Sequence, residues 1–261
     1  MKSWKNSYNR DNAMNNVVKR YEDLLKDENI ASSSYTLSAI DMLKPVLKRL
    51  RDKGIKSLMD LGCGYGILTL VIADFIGVEK VYAVDSDEQR LSFLNKIKGR
   101  SFAKEVIVVN HDFCKPINID ERIQLVTSFG SLEHVTCWDE VLENVRNVLV
   151  DGGYFLVSMP NLGSWVNRLA LLLGYQPRDL EISKRKLFGV APPYGDRVAG
   201  HVKIATFKAF KEYLADNGFE IVIAKPLYTR QNLLINLNLI DKIFSTSSLS
   251  RRFLILARKI A

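Results

Sequence analysis

The chain predicts an α/β fold, doubly wound about a mostly parallel sheet, and three observations predict it. Short β-like runs alternate with amphipathic helical runs between residues 55 and 159. Several of the β-like runs lack polar alternation, as strands covered on both faces do. A cluster of glycines follows the first of them in "SLMDLGCGYGILTL" (57–70), where a strand must turn into a helix.

The elements follow in order. Residues 1–54 read as mainly helical and precede the first strand, as an N-terminal helical extension. Strands are predicted over "IKSLMDL" (55–61), "KVYAVD" (80–85), "EVIVVN" (105–110), "IQLVTSF" (123–129) and "YFLVSM" (154–159), which together are rich in Val, Ile and Tyr. Between them, "ILTLVIADFI" (67–76), "DEQRLSFLNKIKG" (87–99) and "WDEVLENVRNVLV" (138–150) carry apolar residues at helical spacing. Such alternation points to crossover connections and a parallel sheet. After Pro160 the rhythm breaks, and residues 161–205 are too long for a simple connection. They hold an apolar helical piece (164–173) and a basic loop with Gly and Pro, and read as a cap insertion. A helix (206–218) and a strand (219–226) resume the pattern, a second insertion follows, and a strand (251–259) closes the chain. The expected organisation is the extension 1–54 and a single α/β domain over 55–261 that carries the cap.

Composition narrows the class. With 47% apolar and 25% charged residues the chain reads as globular, and it has no run of about 18 apolar residues that could cross a membrane. The opening "MKSWKNSYNRDNAMNN" lacks the apolar core of a secretory signal. Cys63, Cys114 and Cys137 are odd in number and widely spaced. They read as reduced thiols in a cytoplasmic protein, with neither a disulfide framework nor a paired metal motif. The net charge of +8 divides as +5 over residues 1–58, −5 over 59–177 and +8 over 178–261. An acidic middle with basic flanks fits an ordinary solvated surface. It also fits attraction of nucleic acid, anionic lipid or an acidic small molecule.

The glycine cluster and the strand ends carry the candidate chemistry. In open parallel sheets ligands bind beyond the carboxyl ends of the strands. Gly62, Gly64 and Gly66 sit at such an end, where glycine permits positive φ and close approach of a ligand to the backbone. The spacing is G-x-G-x-G, one residue shorter than the dinucleotide fingerprint. Asp60, two residues before the first glycine, suits a cationic amine better than a pyrophosphate. S-adenosylmethionine, with an ammonium, a sulfonium and no phosphate, fits that combination. Asp85 ends the second strand, where an acid can accept both ribose hydroxyls, and Asp112 follows the third, within reach of an adenine amino group. Phe113 can pack on the ring, and Phe129 ends the fourth strand near the methyl donor. Each of these has a plainer alternative: a turn for the glycines and Asp112, a helix N-cap for Asp85 beside Ser86 and Asp87.

Together "MDLGCGYG", "VYAVDSD", "NHDF", "TSFGSLEHV" and "VRNVLVDGGYFLVSMPN" resemble the class I, Rossmann-like S-adenosylmethionine-dependent methyltransferases over about residues 55–160. The section from "PNLGSWVNRLALLLGYQP" to "GHVKIATFKAFKEYLADNGF" is similar to a subgroup of small bacterial and archaeal methyltransferases. The resemblance implies seven strands in the order 3-2-1-4-5-7-6, the last antiparallel. It also implies a cofactor site of Asp60, Gly62, Cys63, Gly64, Asp85, Ser86 and Asp112, joined by the Phe113 and Phe129 read above.

Methyl transfer from a sulfonium needs alignment first, and a base only where the acceptor must lose a proton. His134 and His201 are the candidates for that base; pocket lining or helix capping are the alternatives, and His111 reads as structural. Dispersed histidines and the absence of a thiol pair predict no metal site. "SFGSLEHV" replaces the N-P-P-[YF] signature of amino-N methyltransferases and looks like the small-molecule branch, which includes O- and C-methylating enzymes. The cap segment "SWVNRLALLLGY", with Asn167 and Arg168 interrupting a wide apolar side, reads as an ordinary cap helix, as the wall of a pocket for a lipid-like acceptor, or as a peripheral membrane contact. A small-molecule methyltransferase, with a glycan or lipid-like acceptor, is the leading expectation. The alternatives are an RNA methyltransferase using the basic flanks and a cofactor-binding module without turnover.

Overall fold

A computed structural model of the protein describes residues 15–25, 34–191, 198–227, 244 and 248–261. Seven strands form one sheet: β1 (Ser57–Leu61), β2 (Lys80–Asp85), β3 (Glu105–Asn110), β4 (Ile123–Phe129), β5 (Leu149–Pro160), β6 (Phe219–Leu227) and β7 (Arg252–Lys259). Their order is β3-β2-β1-β4-β5-β7-β6. This is the doubly wound order expected. The helices are α1 (Glu22–Leu25), α2 (Ser34–Asp52), α3 (Ile67–Ile76), α4 (Glu88–Ile97), α5 (Trp138–Val148), α6 (Trp165–Leu172) and α7 (Phe207–Asp216). The second insertion, expected between residues 227 and 250, lies mostly outside the described residues.

Two compact units divide the chain: Met1–Asp112 with Ile123–Leu125, and Phe113–Arg122 with Val126–Ala261. In the first, β1, β2 and β3 pair in parallel, with Leu58 against Val81 and Val81 against Val106. α3 follows from "ILTLVIADFI", apolar nearly all round, and eight of its ten residues are buried. A helix apolar on every side needs cover on more than one side. α2 supplies part of that cover, packing against α3 and burying Ile40, Leu43, Leu47 and Leu50 at helical spacing. Asp74 on α3 accepts hydrogen bonds from the Tyr21 hydroxyl (2.8 Å), the Ser101 hydroxyl (2.6 Å) and the Phe102 N–H (2.7 Å).

In the second unit β7 runs antiparallel between β5 and β6, so that Val157 faces Ile255 and Ile255 faces Ala224. The core is Phe155, Phe210, Phe219 and Phe253, all buried. Here two buried asparagines organise the cap. The Asn161 side-chain amide donates to the carbonyls of Ser248 (3.2 Å) and Ser250 (2.8 Å), and its oxygen accepts from the N–H groups of Gly163 (2.9 Å) and Phe207 (3.2 Å). Asn167 donates to the Asn161 carbonyl (3.1 Å) and accepts from the Arg178 N–H (3.0 Å). Arg168 donates to the Gly163 carbonyl (2.8 Å). The two polar residues that interrupt the apolar side of α6 therefore fasten the cap.

Two of the three cysteines depart from the reduced-thiol expectation, because the structure joins Cys114 and Cys137 by a disulfide, their Cα atoms 5.7 Å apart. Cys114 lies on the segment after β3, Cys137 is the residue before α5, and Asn144 on α5 holds that same segment (below). Cys63 is the free cysteine. Among the described residues no helix is long and apolar enough to cross a membrane.

Candidate active site

The glycine loop after β1 is built by hydrogen bonds to β2. The N–H groups of Gly62 and Cys63 both donate to the Val84 carbonyl, at 2.8 and 3.0 Å. The Gly64 N–H donates to Asp85 Oδ2 at 2.7 Å, while Asp85 Oδ1 accepts from the Asp87 N–H at 2.9 Å. Asp85 is thus the residue that fixes the loop. The helix N-cap is Asp87, which accepts from the N–H groups of Gln89 and Arg90. That removes the capping alternative for Asp85. Each carboxylate oxygen has a second lone pair, so Asp85 keeps acceptor capacity beyond these two bonds.

All three glycines have positive φ, +76° at Gly62, +55° at Gly64 and +74° at Gly66. Their surroundings separate their roles. A Cβ on Gly66 would lie 2.3 Å from Leu94 Cδ1, so Gly66 exists to let α3 begin against α4. A Cβ on Gly64 would meet nothing within 4 Å. Gly64 therefore has open space over its backbone, where a ligand can approach. Asp60 is buried and accepts a short hydrogen bond from the Thr69 hydroxyl of α3. Burial pushes the Cys63 thiol up, with Asp60 and Asp85 adding to the effect. A thiol so held is not a nucleophile. Ser86 and Asp112 are exposed, just past the ends of β2 and β3.

In the second unit, Phe113 and Phe129 are half-buried. The segment that begins with Phe113 is stapled to α5 by Asn144, whose amide donates to the carbonyls of Phe113 (3.0 Å) and Lys115 (2.7 Å) and accepts from the Ile117 N–H (3.3 Å). Sequence reasoning missed Asn144, although a polar residue in the buried stripe of an otherwise apolar helix face was the visible signal. With three bonds at about 1 kcal/mol each, Asn144→Ala should cost roughly 2–3 kcal/mol of stability. Chemical denaturation should read that loss, and hydrogen exchange should show faster exchange at the Ile117 amide. An unchanged Ile117 amide would contradict the staple.

Beyond β4 a short turn of helix (Leu132–His134) brings Glu133 and His134 to His201. The ligand-capable atoms of Glu133, His134 and His201 all lie within 4.8 Å of one another. The histidines dispersed in sequence are therefore not all dispersed in space. The Glu133 side chain is 1% exposed, and its Oε1 pairs with the Arg252 guanidinium at 3.0 Å. Its backbone carbonyl accepts from the N–H groups of Val202 (2.7 Å) and Lys203 (3.3 Å), which ties the 201–203 segment to this turn. The Glu181 carboxylate holds the preceding residues, accepting from the N–H groups of Ala199 and Gly200, both at 2.7 Å.

His134 is exposed and its Nδ1 is 3.1 Å from the Gly200 carbonyl oxygen. A carbonyl only accepts, so Nδ1 carries the proton and Nε2 keeps its lone pair. Burial holds the His201 imidazole below its ordinary pKa, against the pull of the Glu133 carboxylate. Arg252, on the last strand, and Glu181, in the cap, gave no local signal.

The comparisons with known proteins agree with this architecture. A family model described as a methyltransferase domain matches residues 34–224. The demethylmenaquinone methyltransferase of Lactobacillus johnsonii is 24% identical over 199 residues, 70% of this chain and 76% of that protein. Ribosomal protein L11 methyltransferase of Staphylococcus aureus is 32% identical over 103 residues, 39% of this chain and 31% of that protein. Among solved structures, an S-adenosylmethionine-dependent methyltransferase of Clostridium acetobutylicum superposes with a TM-score of 0.57 at 15% identity, covering 94% of this chain and 99% of its own. The magnesium protoporphyrin IX methyltransferase of Synechocystis, with S-adenosylhomocysteine bound, gives 0.57 at 14% identity over 97% and 99%. The chain belongs to the methyltransferase-domain family, and it is an S-adenosylmethionine-dependent methyltransferase of class I.

Proposed function

We propose that the enzyme methylates a small-molecule acceptor, on oxygen or carbon, with lipid-like and glycan compounds as the acceptor classes. The observation that carries the donor half of this reading is the bracket between Gly64 and Asp85. Gly64 has positive φ and open space, and its N–H is held by the acid at the end of the next strand. Bound there, S-adenosylmethionine supplies a methyl group on an activated sulfonium leaving group. The remaining lone pairs of Asp85 accept the ribose hydroxyls, and Asp60, held by Thr69, places negative charge beside Gly62 and Gly64 for the ammonium end. Asp112 serves the adenine amino group, and Cys63 and Ser86 line the loop.

Proton removal from a hydroxyl acceptor falls to the cluster of Glu133, His134 and His201, where His134 Nε2 has the free lone pair on an exposed ring. A lipid-like acceptor is supported by the cap. Leu169, Leu171, Leu172 and Leu173, at and just past the end of α6, are 48%, 56%, 81% and 62% exposed. Apolar side chains left so exposed in sequence order form a surface that favours an apolar partner. The cytoplasm is the compartment that this reading assigns.

Two measurements test it. Calorimetry should show S-adenosylhomocysteine binding and no binding of NAD. Transfer of labelled methyl groups into cell extract should then appear in small organic-soluble or sugar-bearing compounds. Label in bulk RNA, lost steeply as salt rises, would favour the RNA reading and defeat this one.

A further inference from the structure

We propose that Glu133, His134 and His201 bind a divalent metal ion of the type taken by two imidazoles and one carboxylate, such as Mn²⁺, Fe²⁺ or Zn²⁺. The donor set is the first argument. Two imidazole nitrogens with one carboxylate, and no thiolate, suit borderline divalent ions that keep open coordination positions. Geometry is the second. Ligand atoms about 2.1 Å from one ion stand roughly 3 Å apart, and these lie within 4.8 Å of one another with no ion between them. Closing that gap asks for a small rotation of the exposed His134 ring about its Nδ1 hydrogen bond to the Gly200 carbonyl.

Orientation is the third argument. Metal-bound histidines commonly donate their other ring nitrogen to a carbonyl or carboxylate, which fixes the tautomer. His134 already does so, through Nδ1 to the Gly200 carbonyl at 3.1 Å. Ligating carboxylates are themselves hydrogen-bonded, and Arg252 holds Glu133 Oε1 at 3.0 Å. The two segments that carry the ligands are joined by backbone bonds from Val202 and Lys203 to the Glu133 carbonyl, so the cluster exists without the ion. Two polar atoms in it remain unsatisfied. Glu133 Oε2 and His201 Nδ1 are buried and have no hydrogen-bond partner. Leaving a buried carboxylate oxygen without a partner costs free energy, and a cation in the cluster removes that cost.

Arg252 sets a limit. Its charge beside Glu133 offsets the carboxylate and weakens the hold on a dication relative to the same three ligands alone. The site accordingly binds and releases its ion rather than burying it as a structural centre. With three protein ligands, the other positions take water or an oxygen of the acceptor. With its Nε2 lone pair on the ion, His134 no longer acts as the base, and the cation instead lowers the pKa of such an oxygen's proton so that water can take it. What the ion does for methyl transfer rests on the function proposed above; its binding does not.

The test uses the full chain stripped of metal by chelation and titrated with Mn²⁺ and, separately, Zn²⁺. Calorimetry of S-adenosylhomocysteine binding is run on the same preparation. The expected result is one saturable site. His134→Ala and His201→Ala should each weaken it at least tenfold, while His111→Ala, outside the cluster, leaves it unchanged. His134 is exposed, so His134→Ala should keep the metal-free melting temperature, and its loss of binding cannot be put down to unfolding. No saturable binding of either ion, or equal affinity in both ligand variants and the parent, overturns the proposal. Loss of S-adenosylhomocysteine binding would instead count against the methyltransferase reading, so the two failures are told apart.

Discussion

Replacing Asp85 with alanine should weaken S-adenosylhomocysteine binding at least a hundredfold, and the cause is double. The carboxylate holds the glycine loop through the Gly64 N–H at 2.7 Å and the Asp87 N–H at 2.9 Å, and its remaining lone pairs are assigned to the ribose. Hydrogen bonds to a charged group contribute about 1.5–3 kcal/mol each, so two ribose bonds alone account for a hundredfold or more. The two backbone donors left behind are part-buried and add a stability loss of the order of 1 kcal/mol. Asp85→Asn keeps one oxygen acceptor but sets an amide donor against one of the N–H groups. It should fall between the parent and Asp85→Ala. Calorimetry with the demethylated product separates the three proteins, and equal affinities in all of them would remove Asp85 from the site.

The glycines of the same loop should behave oppositely to one another. Gly66→Ala puts a Cβ 2.3 Å from Leu94 Cδ1 and 2.9 Å from Leu94 Cγ, at a residue with φ of +74°. Leu94 is fully buried and cannot swing away. Left-handed backbone costs a non-glycine residue about 1–2 kcal/mol, and overpacking adds about 1–3 kcal/mol. Gly66→Ala should therefore lose about 2–5 kcal/mol of stability. Gly64→Ala meets nothing within 4 Å and should lose only the backbone part, about 1–2 kcal/mol. It should nonetheless weaken S-adenosylhomocysteine binding at least tenfold, because the new methyl group occupies the space left for the ligand. In a double-mutant cycle, Leu94→Ala should recover the steric share of the Gly66→Ala loss. Equal stability for the two glycine variants would contradict this division of roles.

Much of the fold was legible because its signals are local. β2, β3 and β4 begin and end at the residues predicted, since apolar β-branched runs stop at Asp85, Asn110 and Phe129. α3 occupies the predicted ten residues because Gly66 and Gly77, both with positive φ, close its ends. β5 starts earlier than expected, at Leu149 and not at Tyr154, because the strand runs through Gly152 and Gly153 where the sequence suggested a break.

The site was legible at its strand ends and illegible across space. Asp85 declared itself by position. Whether it caps a helix or holds the loop depended on where Asp87 and the Gly64 N–H would point, which one-dimensional spacing does not encode. The glycine cluster looked like three equivalent residues until Leu94 was seen beside one of them. Glu133, His134 and His201 converge because the Glu133 carbonyl takes backbone bonds from Val202 and Lys203. No local pattern announces that pairing. The Cys114–Cys137 disulfide escaped the sequence because its cysteines lie 23 residues apart on the connections before and after β4, and no local pattern says that these two connections meet.

The donor site is the centre of this account, and a crystal structure with S-adenosylhomocysteine bound tests it most directly. The homocysteine end should lie over the open face of Gly64 beside Asp60, with both ribose hydroxyls on the Asp85 carboxylate. Ligand density away from the β1 loop, or a ribose that makes no contact with Asp85, would contradict it.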